Sequence, residues 1–377
     1  MKLKIDKDHF VSGLQRVSNI VGSKSTMPIL NNVLLVAEGQ QLLLTTTNLE
    51  QGIRCCITAE IEEEGAITLP VRKLSNIVRS LPNQDIHFQA SDHQQAKLES
   101  GSSRFRLMGL PRDDFPMLPT FEDHESLTLQ QGELSRMLRS VAYAQSADED
   151  RQFLNGVYFS FEGNQLIMVA TDGRRLAYVG KEMEEVPEHL QNIIVPAKTV
   201  VELQRLLDLG TEVIISLSGT QVAFRISIDN EKETSGLVDH LYLVSKMVEG
   251  NFPDYHQVIP RETEQRIQVE RELFLDSVNR AALMTSDKNH SIRIQLSLNN
   301  MKLTSSSSEY GEAEESIAVA YEGPEITVSF NPDFLVDPLK HLDKDEVYFE
   351  FKDELSPGVI KTLDHFLCVI MPLRTGQ

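Results

Sequence analysis

The strongest constraint on what this chain can fold into is that it contains one segment three times. The run from Leu30 to Asn48, LNNVLLVAEGQQLLLTTTN, aligns without a gap to LNGVYFSFEGNQLIMVATD, from Leu154 to Asp172; a more divergent copy, SIRIQLSLNNMKLTSSSSE, runs from Ser291 to Glu309. A chain that repeats a unit at such spacing folds as an array of like units, so the repeat is read before any short motif. Each copy alternates apolar and polar residues on both sides of a turn, at Glu38-Gly39, Glu162-Gly163 and Asn299-Asn300, which predicts a two-stranded hairpin. The serines Ser305 to Ser308 then belong to the end of a hairpin strand rather than to a modification tract.

Each hairpin is preceded by apolar residues at helical spacing: Phe10, Leu14 and Val17; Leu134, Met137, Leu138 and Val141; Phe274, Val278 and Ala281. Each is followed by a strand, a proline and a second helical pattern, in ITLPVRKLSNIVRSL, IIVPAKTVVELQRLL and VSFNPDFLVDPLKHL. Proline is favoured in a helix's first turn, where its missing N–H has no partner to lose, so Pro70, Pro196 and Pro332 mark one joint three times. Further strands follow, such as IHFQA, AKLES and SRFRLMGL in the first copy, and VIISLSG, QVAFRISI and LYLVSK in the second. The expectation is three α+β domains of ordinary size, residues 1–120, 121–260 and 261–377, with proline-rich joints at Phe115 to Pro119 and Phe252 to Pro260. The polar stretch Ile228 to Val238, IDNEKETSGLV, reads as a lengthened, solvated loop.

Composition narrows the function. No apolar run is long enough to span a bilayer, and MKLKIDKDHF lacks a secretory apolar core, so a cytoplasmic protein is expected. Three cysteines, two of them the adjacent Cys55 and Cys56, suggest neither a disulfide framework nor a zinc cluster. A net charge of −20 argues against a protein that holds nucleic acid by broad basic contact. It does not argue against a closed ring, which retains DNA by topology and needs cations only on its inner face.

Enzyme chemistry finds little support. Gly22-Ser23-Lys24-Ser25 has Val17 where a phosphate loop needs its first glycine, and no Gly-Lys pair exists. HExxH, GxSxG and paired-cysteine motifs are missing, and Asp172 before Gly173 reads as a turn cap. Asp254 and His256 alone make no hydrolytic constellation.

Four runs identify a family: RQFLNG (Arg151 to Gly156), VATDGRRLA (Val169 to Ala177), EGNFPDYHQVIP (Glu249 to Pro260) and VIMPLR (Val369 to Arg374). In this order and spacing, and with the threefold repeat, the whole chain resembles bacterial sliding clamps, the beta subunits of DNA polymerase III. The resemblance implies three repeated DNA-clamp domains, each with two helices packed on antiparallel sheet, closing as a head-to-tail homodimer into a six-domain ring with helices lining the hole. It also implies a non-catalytic processivity factor without cofactor or metal. Its partners would be double-stranded DNA, bound without sequence preference, and the replicative polymerase, clamp loader, and repair and translesion polymerases, bound through short linear motifs. A scaffold of the same fold that does not encircle DNA is the alternative.

The resemblance also assigns residues. Leu154, Thr171, Gly173, Arg174, Arg175, Leu176, Pro253, Val258, Val369, Met371, Pro372, Leu373 and Arg374 would form a hydrophobic peptide-binding cleft, with the arginines holding polar or acidic groups at its rim. Val369 to Met371 reads equally as a terminal core strand, and parity turns Ile370 to the other face. Arg72, Lys73, Arg79, Arg136, Arg139, Lys198 and Arg205, on helices, with Lys24, Gln152 and Phe153 in loops, would face DNA; each helical cation alone also fits an ordinary solvated surface. Asp148 stands where a neutral amide is expected, and His256 and Gln257 where relatives often carry basic residues. Leu283 and Met284 would meet Ile77, Leu81, Phe105 and Leu107 of a second subunit, although several of these fit a core equally well.

Overall fold

The computed structural model describes all residues except 23–26, 92, 122–124, 185, 188–189, 230–234, 261–262, 287–288 and 375–377. The three hairpins are present: Asn32–Glu38 with Gln41–Thr47, Gly156–Glu162 with Gln165–Thr171, and Ile292–Ser297 with Asn300–Ser307. Their turns share one backbone solution. Gly39 (φ 60°), Gly163 (φ 59°) and Asn299 (φ 56°) all occupy the left-handed region that a tight hairpin of this twist requires, and asparagine is the residue that most readily replaces glycine there.

Among the described residues six α-helices accompany them: α1 (Lys7–Ser18), α2 (Val71–Ser80), α3 (Gln131–Val141), α4 (Ala197–Leu206), α5 (Arg271–Ala282) and α6 (Pro332–His341). Asp6 caps α1 by accepting from the amides of Asp8 and His9 at 2.8 and 3.1 Å. The prolines do not fall on one position. Pro70 is the cap residue before α2 and Pro196 ends the strand before α4, whereas Pro332 is the first residue of α6 and Asn331 caps it, at 2.9 Å from the Asp333 amide. The third copy thus has a side-chain cap where the first has proline.

The chain forms two compact units, Met1–Ser135 with Pro187–Leu190 and Lys198–Met247, and Arg136–Val186 with Gln191–Ala197 and Val248–Gln377. The first unit has a five-stranded sheet, in the order Glu60–Glu63, Lys2–Ile5, Ile86–Ser91, Gln95–Ser100, Ser103–Met108. It also has an eight-stranded sheet: Ser126–Gln130, Glu212–Ser218, Gln221–Ser227, Leu237–Lys246, Gln51–Thr58, Gln41–Thr47, Asn32–Glu38, Gly65–Pro70. The second unit has an eight-stranded sheet, Ile193–Pro196, Gly156–Glu162, Gln165–Thr171, Arg175–Glu182, Phe366–Ile370, Gly358–Lys361, Glu346–Phe351, Gln265–Glu270, and a four-stranded one, Gly311–Ala318, Asn300–Ser307, Ile292–Ser297, Ile326–Phe330. Every pairing is antiparallel.

Both eight-stranded sheets are joints between repeat copies. In each, the strand after the hairpin of one copy pairs with the last strand of the next: Gln51–Thr58 with Leu237–Lys246, and Arg175–Glu182 with Phe366–Ile370. Phe10, Leu14 and Val17 of α1 are wholly buried over the first sheet, and Phe274, Val278 and Ala281 of α5 play the same part in the third copy, beside Phe330 and Phe349.

Three expectations need correction. Leu81, expected at a subunit boundary, is 3% exposed: it follows α2 with its amide bonded to the Ile77 carbonyl and its side chain in the core. The stretch Ile228 to Val238 is not wholly a loop, because Leu237 and Val238 open a strand paired with Ile57 and Cys56; residues 230–234 lie outside the described residues. Arg205 is not a free cation. Its guanidinium pairs with buried Glu202 one turn earlier and donates to the Arg16 carbonyl at 2.8 Å, tying α4 to the end of α1. Cys55, Cys56 and Cys368 are free thiols, and among the described residues no helix is long and apolar enough to cross a membrane.

The Arg205 tie makes a stability prediction. Arg205→Ala strands a buried carboxylate and should lower the unfolding free energy by about 2 kcal/mol, a discounted value because the arginine is partly exposed. Adding Glu202→Gln should restore part of it. Urea denaturation of both variants checks this; a single mutant as stable as the parent would remove the tie from the fold's energetics.

Candidate functional site

In the second unit, the turn Thr171-Asp172-Gly173-Arg174-Arg175 is fixed by its own side chains. The Asp172 carboxylate accepts from the amides of Arg174 and Arg175 at 2.8 and 3.0 Å, and the Thr171 hydroxyl donates to the Arg175 carbonyl at 2.6 Å. Asp172 is therefore a turn cap, as its place before glycine suggests. Gly173 has φ +86°, and a Cβ there would lie 3.0 Å from the Arg151 guanidinium, so glycine serves both the turn and the close approach.

The arginines of this turn differ. Arg174 is exposed, whereas Arg175 is fully committed. It donates to Asp172 at 3.1 Å, to Asp337 at 2.5 Å and to the Tyr143 carbonyl at 2.7 Å, and its guanidinium lies 4.6 Å over the Phe334 ring. Burial opposes its charge, but Asp337 and Asp172 more than offset that, and its pKa stands above the ordinary arginine value. Arg175 is thus a staple between the turn and α6.

The strand leaving this turn pairs with the last strand of the chain, Leu176 opposite Val369 and Arg175 opposite Ile370. Beyond it the Met371 amide donates to the Arg174 carbonyl at 3.0 Å and the Leu373 amide to the Ser329 carbonyl at 2.8 Å. The backbone of the terminal segment is held, while Met371 and Leu373 remain 43% and 39% exposed. Leu176 and Val369 belong to an apolar cluster together with Ile167, Val169, Tyr255 and Val359. Val369 is therefore a core residue, and Ile370, also buried, is not in that cluster.

Pro253 and Val258 flank Tyr255, whose hydroxyl donates to Glu162 at 3.1 Å; Val258 is 43% exposed. Burial, then Glu162, raises the Tyr255 pKa, so this phenol stays protonated and structural. Asp254 is used as a cap, accepting from the His256 amide at 3.2 Å and the Gln257 side chain at 2.9 Å. Leu154 is buried at the end of the turn Glu149–Leu154. The sequence reading missed the aromatic part of this surface: Phe252 stacks on Tyr158 at 4.7 Å, and Tyr178 joins the same cluster. It also missed Arg151, which lies inside the quoted RQFLNG run and reaches over Gly173.

The expected DNA-facing cations fall into groups. Arg72, Lys73 and Arg79 are exposed on α2 opposite buried Leu74, Ser75 and Val78, although Arg72 also donates to the Val21 carbonyl at 3.1 Å. Arg136 and Arg139 are exposed on α3, and Lys198 at the start of α4. Among the described residues none of these six has a carboxylate partner, in a chain whose net charge is −20. The helices of the third copy differ, since Arg280 pairs with Glu315 at 2.7 Å and Arg271 with Glu272 at 3.1 Å. Gln152 is exposed and Phe153 half-buried; Lys24 lies outside the described residues. Asp148 is neutralised locally by Arg151 at 3.0 Å; the Asp150 amide and then Arg151 hold its carboxyl below the usual range.

Two sheet edges stay unpaired in ways that match in charge. Ser103–Met108 ends the five-stranded sheet and carries Arg104 and Arg106, with Phe105 37% exposed and Leu107 half-buried. Gly311–Ala318 ends the four-stranded sheet and carries Glu312, Glu314 and Glu315. Leu283, just after α5, is 76% exposed, while Met284 and Ile77 are half-buried.

Comparison with known proteins gives one result along the entire chain. Family profiles described as DNA polymerase III beta subunit match in order: the N-terminal domain over residues 1–119, the central domain over 128–254 and the C-terminal domain over 256–374. The beta sliding clamp of Vibrio cholerae is 33% identical over 377 residues, covering 99% of this chain and 100% of the relative. That of Chlamydia muridarum is 31% identical over 374 residues, with 99% of each covered. Among solved structures, the DNA polymerase sliding clamp from Bacillus subtilis superposes with a TM-score of 0.92 at 29% identity, and the DNA polymerase III subunit beta from Pseudomonas aeruginosa with 0.90 at 33%, each covering 100% of both chains. With all three domains matched in sequence and fold, the chain belongs to the family of DNA polymerase III beta subunits, the beta sliding clamps.

Proposed function

We propose that this protein is a DNA polymerase processivity factor: a cytoplasmic sliding clamp that closes as a head-to-tail dimer around duplex DNA and tethers polymerases, the clamp loader and repair proteins through one peptide cleft. Its domains are residues 1–120, 121–260 and 261–377, and it performs no catalysis. The observation that carries the reading is the joint rule inside the chain. Twice, the strand after one copy's hairpin pairs with the last strand of the next copy. Applied a third time, the rule joins Gly311–Ala318 of one molecule to Ser103–Met108 of another, the two edges of opposite charge. Such a contact is heterologous, and two of them close a ring. It covers two strand edges that otherwise invite aggregation.

The unpartnered cations on α2, α3 and α4 suit the lumen. Contacts to phosphate carry no base information and weaken with salt, which suits a protein that must slide. Arg205 drops out of this set, because its guanidinium is engaged with Glu202 and α1. Of the two features that favour the scaffold alternative, the acidic total and Asp148, the second is weakened, since the Asp148 carboxylate is paired with Arg151.

The cleft reading rests on the exposed Met371 and Leu373 and on the apolar Leu176 and Val369, with Pro253, Val258 and the Gly173 turn. A flexible methionine beside apolar and aromatic side chains suits several peptide sequences, and the exposed Arg174 and Arg374 are the cations available to them.

Ending the chain after Ile370 should abolish stimulation of the cognate polymerase in primer extension while sedimentation still reports a dimer; undiminished stimulation would refute the cleft. Leu283→Ala with Met284→Ala should shift the protein to monomer at concentrations where the parent is dimeric, and a double mutant sedimenting as a dimer would count against that boundary.

A further inference from the structure

The joint between the first and second copies carries a hollow of about 370 Å³ on the sheet face turned away from α1. Ile53, Cys55 and Ile57 are buried toward α1, where the Cys55 thiol meets the Gly13 carbonyl, so Arg54 stands on the opposite face by strand parity. Arg225, Tyr242 and Arg54 occupy one row across three neighbouring strands, Arg225 opposite Tyr242 and Tyr242 opposite Arg54. Residues in one row share a face, so two arginine positions stand on either side of one tyrosine. The Arg54 guanidinium lies 5.2 Å from that ring's centre. His240, two residues before Tyr242, lines the same hollow with Ser216 and Phe121.

The repeat shows what is unusual here. At the second joint the place of Arg54 is taken by Tyr178, displaced from it as Leu154 is from Leu30, and Tyr178 packs on an apolar cluster opposite Leu367. The same architecture is thus apolar at one joint and cationic at the other. Among the described residues no carboxylate pairs with Arg54 or Arg225, although acids exceed bases by 20 in this chain. The imidazole senses the excess: burial and then Arg225 lower the His240 pKa, with Arg54 adding to them and Asp239 opposing. Two like charges lining one hollow, with no carboxylate partner among the described residues, repel each other, and an oxyanion bound by both guanidiniums would offset that repulsion.

We propose that this hollow is a binding site for a small phosphate-bearing anion, with Arg54 and Arg225 as its paired guanidinium ligands. Neither residue belongs to the set assigned to the peptide cleft or to the helix cations, so the site is independent of the function proposed above. Its size suits a free polyphosphate or the phosphate end of a nucleotide, and either would be gripped by the same two forks.

Calorimetric titration of the full-length protein with sodium pyrophosphate, and separately with ATP, tests this. Saturable binding at one site per chain is expected. Pyrophosphate alone binding assigns the free anion, and tighter binding of ATP assigns a nucleotide. Arg225→Gln, at an exposed position with no carboxylate partner among the described residues, and Arg54→Gln should each weaken binding about tenfold or more, while Arg112→Gln elsewhere on the surface should not. Thermal melting confirms that each variant is folded, and Arg225→Gln keeps the test open should Arg54→Gln disturb Tyr242. No saturable binding of either probe, or equal binding by parent and Arg225→Gln, would overturn the proposal.

Discussion

An unpaired strand edge is the constraint around which this molecule is organised. Amides and carbonyls on an edge strand must find partners in water or in another strand, and an apolar edge left open invites unwanted pairing. A hairpin with two helices over it leaves such edges at both ends of its sheets. The chain meets the problem by joining the strand after one hairpin to the last strand of the next copy, through Tyr242 opposite Arg54 and then Leu176 opposite Val369. Two joints make eight-stranded sheets. Among the edge strands left, Ser103–Met108 carries arginines and Gly311–Ala318 glutamates. The head-to-tail dimer proposed here repeats between molecules what the backbone already does within one.

The joints also supply the surfaces on which partners can act. At the second joint the pair Leu176 and Val369 is apolar, and the terminal segment that follows leaves Met371 and Leu373 exposed. At the first joint the corresponding face presents Arg54, Arg225 and His240. One backbone device has diverged into two chemistries. Free charge is also unevenly spread: among the described residues Arg72, Lys73, Arg79, Arg136, Arg139 and Lys198 on helices of the first two copies have no carboxylate partner, while Arg271 and Arg280 of α5 in the third are ion-paired. A strongly acidic chain can therefore keep a local cationic lining, because potential near a surface follows the nearby charges over about a Debye length rather than the total.

Much of this was legible in the sequence, for a physical reason. A repeat, a two-residue alternation and a left-handed turn are local properties, so the three hairpins and the helices before and after them could be read from Leu30 to Asn48 and its copies. Motif residues of the Gly173 turn were legible for the same reason, since Asp172 and Gly173 are bound by backbone geometry within five residues. What could not be read was where long side chains spend their charge. Arg175 and Arg174 are neighbours of one type, yet only the folded chain brings Asp337 to the first, and nothing in the local pattern distinguishes Arg205 from Lys198 until Glu202 and the end of α1 meet it. Leu81 follows a helix of which one face is exposed, and its burial depends on the chain turning inward after α2. Long-range strand partners were equally hidden, and with them the cationic row at the first joint.

The central claim is that retention on DNA is topological. The most direct measurement loads labelled protein onto a nicked circular plasmid with the cognate clamp loader, isolates the complex by gel filtration at moderate salt, and then linearises the plasmid with a restriction enzyme. A closed annulus should stay with the circle and be lost from the cut molecule by running off its ends. Protein that remains on linear DNA to the same extent, or that leaves the intact circle as salt is raised, would contradict the account.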